Sequence, residues 1–184
     1  MGQASTERRR DERIERVVLL GYMSAGKSTV GEALARRMEW RFLDFDVEIE
    51  RREGASVGQI VEERGEDTLR AMEAALTREI EDETQIVVAP GGGWITHPEL
   101  LDSIRAGTLS VWLRVSVEET VRRLREDPRE RPFKEAEDPR PLVARMMEER
   151  EPLYRLADLT VPAGRRSAEE IAFEIELTLR FRGV

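Results

Sequence analysis

The chain has no cysteine and no asparagine, one histidine (His97) and two lysines, Lys27 and Lys134. Without cysteine there is no disulfide, no thiolate metal site and no thiol nucleophile, and a reducing compartment is permitted. A single histidine leaves little scope for an imidazole metal cluster. The missing asparagine removes N-K-x-D, the guanine-reading motif. D-x-x-G is missing as well, so a GTPase switch is not expected. No apolar run approaches the roughly 20 residues of a membrane-crossing helix. Nor is the chain basic: a net charge of −8 with 37% charged residues argues against a nucleic-acid surface and suits a soluble monomer or small oligomer, the monomer being expected. The first residues, Met1-Gly2-Gln3-Ala4-Ser5-Thr6, formally fit an N-myristoylation pattern. The charge run Glu7 to Arg16 behind them reads as a solvated tail, and its acidic residues argue against an organellar transit peptide. A cytoplasmic protein is expected, with a flexible tail over 1–15 and one domain over 16–184.

Basic charge is carried almost wholly by arginine, so the place where a lysine is kept is informative. Lys27 lies in Gly21-Tyr22-Met23-Ser24-Ala25-Gly26-Lys27-Ser28-Thr29, which spells G-x-x-x-x-G-K-[ST] directly after the apolar run Val17-Val18-Leu19-Leu20. The glycines let the backbone turn with its N–H groups inward, forming an anion nest at the start of the next helix. Val30, Ala33, Leu34 and Met38 recur behind the loop at helical spacing, which supplies the strand, loop and helix order that a phosphate-binding loop needs. Ser24, Ala25, Gly26, Lys27, Ser28 and Thr29 are therefore nucleotide-binding candidates. Lys27 would reach the β- and γ-phosphates, and the Ser28 hydroxyl would ligate Mg²⁺. Thr29 is the weaker, phosphate-facing partner.

Arg41 to Asp46 alternates as a strand, placing Phe42, Asp44 and Asp46 on one side with the two carboxylates about 7 Å apart. Such a pair suits one carboxylate near a metal and one near a substrate hydroxyl; a polar strand end followed by a helix cap is the plainer alternative for Asp46. Residues 47–82 read as helical pieces broken at Gly54 and Gly65, with Arg70 and Glu73 able to meet three residues apart. Gln85 to Ala89 is a short strand that ends in Pro90-Gly91-Gly92-Gly93-Trp94. This loop falls on the same sheet rim as the phosphate loop and either presents N–H groups to a small substrate or is a flexible turn. His97 to Ala106 reads as a short helix and Leu109 to Val115 as the next strand. Ser116 with Glu119 and Ser167 with Glu170 mark capping boxes. Between those two boxes, Glu126 to Arg140 carries three prolines and almost no apolar residue, the composition of a disordered stretch or of a lid that could bring Arg129, Arg131 or Lys134 onto a transferring phosphate. Arg150 falls in phase with the apolar residues Val143, Met146 and Met147, so it needs a partner unless it snorkels at the helix end.

In combination these motifs resemble the shikimate kinase family, over a likeness running from about Arg16 to the C-terminal helix. It is carried by the phosphate loop, Asp44-x-Asp46, Gly65-Glu66 leading into Leu69-Arg70-x-x-Glu73, Gly91-Gly92-Gly93, Arg131-Pro132 and Arg150-Glu151-Pro152-Leu153-Tyr154. The resemblance implies an α/β P-loop kinase with a five-stranded parallel sheet in order 2-3-1-4-5, flanked by helices, with a substrate segment near 45–82 and a mobile lid near 126–140. It implies transfer of the ATP γ-phosphate to the 3-hydroxyl of shikimate with Mg²⁺. Lys27 and Ser28 would take phosphates and metal, Asp44 would stand near the metal, and Asp46 would polarise the reacting hydroxyl. Arg70 and Arg150 would grip the carboxylate, Gly91, Gly92 and Gly93 the ring hydroxyls. Arg123 would stack on adenine and Arg131 would arrive with the lid. The chain departs from the family at Val61 and Leu69, where aromatics are usual, which implies a roomier substrate pocket. It departs also at Ala89-Pro90, where a hydroxyl is common, and at Trp94, where a small residue is usual. Another small-molecule P-loop kinase, of the gluconate type for example, or a nucleotide-binding module without turnover, are the alternatives.

Overall fold

Arg16–Leu20 forms β1, all five residues buried, and its apolar run from Val17 is what a strand covered on both faces requires. The computed structural model describes residues 13–127 and 133–182. β1 pairs in parallel with β3 (Ile86–Ala89) on one side and β4 (Thr108–Arg114) on the other. β2 (Arg41–Asp44) lies outside β3 and β5 (Leu159–Pro162) outside β4. The order β2-β3-β1-β4-β5 is the expected one. Just before β1, Ile14 is buried and the Glu15 N–H donates to the Gly107 carbonyl at 2.8 Å.

Alternate residues of β1 feed two separate cores. Val17 and Leu19 face a cluster with Ala33 and Leu34 of α1 (Lys27–Met38) and with Ile171 and Ile175 of α8 (Ala168–Phe181). Val18 and Leu20 face the other way, toward Phe45, Leu76, Ile80, Trp94 and Leu101. That second layer is built from α2 (Phe45–Glu53), α3 (Val57–Arg64), α4 (Glu66–Glu79) and α5 (Pro98–Ser103). Gly54 and Gly65 interrupt it with φ of 66° and 84°, where the sequence placed its breaks. A third, smaller cluster joins Tyr22 of the phosphate loop to Val121 and Leu124 of α6 (Val117–Glu126) and Val143 of α7 (Arg140–Tyr154).

Capping accounts for several element boundaries and corrects one. Ser167 and Glu170 exchange both bonds of a capping box. Ser116 accepts the Glu119 N–H, but the Glu119 carboxylate is taken by Arg122 and Arg123, so that expected box is half formed. At β2 the predicted strand through Asp46 stops at Asp44, because the Asp44 side chain accepts the Val47 N–H and starts α2. Asp46 therefore stands in the first turn of a helix and not on a strand face beside Asp44.

At the far end of β1 from the phosphate loop, the buried Arg16 donates to the carbonyls of Glu81 (2.9 Å), Glu83 (2.7 Å) and Ala106, and to Thr108 Oγ1 (3.1 Å). This guanidinium ties the start of β1 to the chain entering β3 and β4. Among the described residues no helix is long and apolar enough to cross a membrane.

Candidate active site

The C-terminal ends of β1, β2 and β3 converge on a cavity of about 470 Å³ lined by residues 23–30, Asp44, Asp46, Ala89, Pro90 and Gly92. A crevice beyond strand C-termini is where an open parallel sheet takes a ligand. Gly26, with φ of 94°, turns the chain into α1, whose first turn lines the cavity. Lys27 Nζ donates to the carbonyls of Gly21 (2.8 Å) and Tyr22 (3.2 Å), folding its charge over the loop. Ser28 Oγ donates to Asp44 Oδ2 at 2.5 Å. This hydroxyl and carboxylate are hard oxygen donors side by side at the loop mouth, a set that fits Mg²⁺, which takes one or two protein oxygens and completes its shell with phosphates and water. Among the described residues no cluster of three or more His, Cys, Asp or Glu is placed to hold a metal by itself.

Arg123 closes the cavity from α6. It donates to the carbonyls of Ser24 (3.4 Å), Ala25 (3.2 Å), Ala163 (2.8 Å) and Gly164, and to the Glu119 carboxylate (2.7 Å). Its edges are thus committed to four carbonyls and one carboxylate. Ala163 and Arg166 also line the cavity and were not singled out from the sequence. Their place after the last strand, hence on the same rim as the phosphate loop, was the available signal.

Beside the cavity lies a second group of residues, built on α4, the glycine loop and α7. Arg70 pairs with Glu73 and Glu66, so the expected pair three residues apart is formed, and formed in the interior: the Glu73 side chain is fully buried. Burial pushes the Glu73 carboxyl above its ordinary range, against the opposing pull of Arg70. Its Oε1 makes no hydrogen bond among the described residues and points at Gly91. A methyl group at Gly91 would overlap that oxygen and lie 3.2 Å from Asp46 Oδ1. One at Gly93 would overlap the Arg70 guanidinium, and one at Gly92 would lie 3.2 Å from the Met23 amide nitrogen. The three glycines are therefore points of close approach between loop, phosphate loop and α4.

The Gly92 carbonyl accepts from Arg150 (3.2 Å) and from the Tyr154 hydroxyl (2.8 Å). Burial raises the Tyr154 phenol well above its usual range, which keeps it a neutral donor. Tyr154 was quoted from the sequence only as part of a motif; its role in fixing this loop depends on a contact 62 residues away. Trp94, where the family usually has a small residue, is buried with Nε1 donating to Thr77 Oγ1 at 3.0 Å. Leu69 and Val61 pack into the second core cluster and do not line the cavity.

The sequence model of the family described as shikimate kinase matches residues 23–180. The chain belongs to the shikimate kinase family. A shikimate kinase from Synechococcus sp. (strain RCC307) is 40% identical over 157 residues, covering 85% of this chain and 80% of that one. One from Thioalkalivibrio sulfidiphilus is 40% identical over 160 residues, covering 86% and 84%. Among solved structures, shikimate kinase from Acinetobacter baumannii in complex with shikimate superposes with a TM-score of 0.84 at 32% identity, covering 92% of this chain and 95% of that one. Within this family frame the structure brings Lys27, Ser28, Asp44, Asp46, Gly92 and Arg123 around one cavity and sets Arg70, Gly91, Gly93 and Arg150 beside it. Arg131 and Arg129 lie outside the described residues. Of the expected lid cations, Lys134 is described, donating to the Asp127 carbonyl at 2.6 Å.

Proposed function

We propose that the chain is an ATP-dependent kinase that transfers the γ-phosphoryl group to the 3-hydroxyl of shikimate, giving shikimate 3-phosphate and ADP. The observation that carries this reading is the position of Asp46. It lines the phosphate-loop cavity together with Lys27, and across Gly91 it neighbours Glu73, the partner of Arg70. This position supports a scheme in which a hydroxyl held by Asp46 lies between the phosphates and the Arg70 guanidinium.

In this scheme the loop N–H groups from Ser24 to Thr29 and the Lys27 ammonium hold the phosphates, and charge developing on the transferred group is met by Lys27. Mg²⁺ is the proposed cofactor, held by Ser28 with Asp44 beside it, and when bound it supplies neutralising charge to the phosphate oxygens. Adenine would lie on the open face of Arg123, whose edges are already occupied. The shikimate carboxylate is assigned to Arg70 and Arg150, and the ring hydroxyls to the wall formed by Gly91, Gly92 and Gly93. Asp46 orients the 3-hydroxyl and accepts its proton as the O–P bond forms. The transition state is loose, so alignment outweighs basicity. Arg131 is proposed to join from the segment between α6 and α7. The working form is taken to be a cytoplasmic monomer, on the strength of its net charge of −8.

The test is ADP release coupled to shikimate. Folded protein at saturating Mg·ATP should release ADP in proportion to added shikimate, and not with gluconate. Absence of shikimate-dependent release would overturn the assignment, and binding of both ligands without turnover would favour a nucleotide-binding module.

A further inference from the structure

Tyr22 belongs to the phosphate loop, yet its side chain does not line the nucleotide cavity. The ring is 4% exposed, packed with Val121, Leu124 and Val143 under α6 and α7. Two contacts connect it to α7. The hydroxyl donates to Met146 Sδ at 3.0 Å, and one turn later the Arg150 guanidinium carbon stands 5.7 Å from the ring centroid, inside the distance at which a ring face attracts a cation. Residues four apart on a helix share a face, so Tyr22 fixes both the rotation of α7 and the direction of the Arg150 side chain. Meanwhile its own carbonyl accepts from Lys27 Nζ.

We propose that Tyr22 is a positioning residue for the acceptor: from within the phosphate loop, its ring face holds the Arg150 guanidinium where it meets the substrate carboxylate. The proposal rests on the reading of Arg150 as a carboxylate-binding group. Arg150 has a long, rotamer-rich side chain that donates to the Gly92 carbonyl at 3.2 Å and also interacts with the Tyr154 hydroxyl. The bond to Gly92 fixes one end of the fork; the ring supplies a face over which its central carbon sits. An aliphatic side chain at position 22 fills the space but has no negative face to offer. A side chain of the nucleotide loop would then govern affinity for the acceptor and leave that for the nucleotide alone, a separation that ordinary packing damage to the loop would not produce.

Steady-state kinetics on the full chain, with shikimate and ATP varied in turn and thermal unfolding in parallel, tests this. Tyr22→Phe keeps the ring and should stay near the parent in both KM values. Tyr22→Leu should raise KM for shikimate about five- to tenfold, the scale of a partly desolvated cation–π contact, with KM for ATP within about two-fold. Tyr22→Met, equally without a ring and more adaptable in shape, replaces Tyr22→Leu if the latter unfolds early. Arg150→Ala should raise KM for shikimate further, and adding Tyr22→Leu to it should change nothing more, because the ring acts through Arg150. If Arg150→Ala leaves KM for shikimate unchanged, the carboxylate reading of Arg150 fails and the proposal falls with it. If Arg150→Ala raises it but the ringless variants do not, Arg150 keeps its role and the proposal alone is overturned. Equal losses toward shikimate and ATP, or fully additive effects in the double variant, would also overturn it, reducing Tyr22 to packing.

Discussion

Replacing Gly91 by alanine adds one methyl group at the point where Asp46, Glu73 and the glycine loop meet. The backbone there is not in the left-handed region, so the cost comes from space and not from φ. The new Cβ would overlap Glu73 Oε1 and sit 3.2 Å from Asp46 Oδ1. Glu73 is fully buried and tied to Arg70, so its carboxylate has no solvent-filled volume to swing into. Either the ion pair loosens or the loop moves. Overpacking of this kind costs about 1–3 kcal/mol. For a chain of this length that is a drop of roughly 2–12 °C in Tm, at about 2–4 °C per kcal/mol. The same displacement shifts Asp46 or the loop from alignment, so kcat/KM for shikimate should fall by about 10- to 100-fold. Circular dichroism melts and coupled assays on purified Gly91→Ala read both quantities. Gly93→Ala is the informative contrast, since the atom in its way is the far end of the flexible Arg70 side chain, 14% exposed. It should raise KM for shikimate with a smaller loss in Tm. A Gly91→Ala protein with Tm within about 1 °C and kcat/KM within about two-fold of the parent would refute the packing argument.

Asp46→Asn keeps a hydrogen-bonding group but cannot take a proton, so kcat should fall by about 10²-fold while ATP binding measured calorimetrically without shikimate stays near the parent. A kcat within a few-fold would make Asp46 a helix-start carboxylate and nothing more. Lys27→Ala should abolish turnover with Tm little changed, because its charge acts on phosphate and not on the core; retention of turnover would remove the phosphate-loop assignment. Glu73 sets a pH dependence. Its folded carboxyl binds a proton more tightly than the ordinary value of 4.5, so the stability this group contributes is full below that value and is lost as pH rises through the raised one. Denaturation of parent and Glu73→Gln from about pH 4 to about pH 8 should therefore show the variant gaining on the parent as pH rises. A pH-independent difference would contradict the assigned direction.

The phosphate loop and the sheet around it were legible because their signals are local: two glycines, a lysine and a serine at fixed spacing, flanked by an apolar run and a helical stripe. The Arg70 and Glu73 pairing followed from helical spacing alone. Asp46 was misplaced because Phe42, Asp44 and Asp46 do alternate, and over six residues a strand and a strand ending in a capped helix look the same. What separates them is one side chain, Asp44, reaching the Val47 N–H. The bulk of Trp94 was visible in the sequence but its direction was not, since that depends on Thr77, 17 residues earlier. The sizes of Leu69 and Val61 were likewise visible, but not that both pack into the second core cluster. For Arg123 the resemblance implied stacking on adenine, while its four carbonyl partners come from two loops that meet only in the fold.

The glycine wall has a consequence for how acceptor preference could drift in this lineage. Side chains are the usual material of altered specificity, but one at Gly91 would collide with the buried Glu73 carboxylate, one at Gly93 would have to push the Arg70 guanidinium aside, and one at Gly92 would lie only 3.2 Å from the Met23 amide nitrogen. The Gly92 carbonyl, engaged by both Arg150 and Tyr154, also resists the peptide flip by which a bare loop might change its hydrogen-bonding face. Variation that adapts the protein to a new acceptor is thereby channelled onto α2, α3 and α4, and a selection for altered substrates should return changes there while the loop stays as it is.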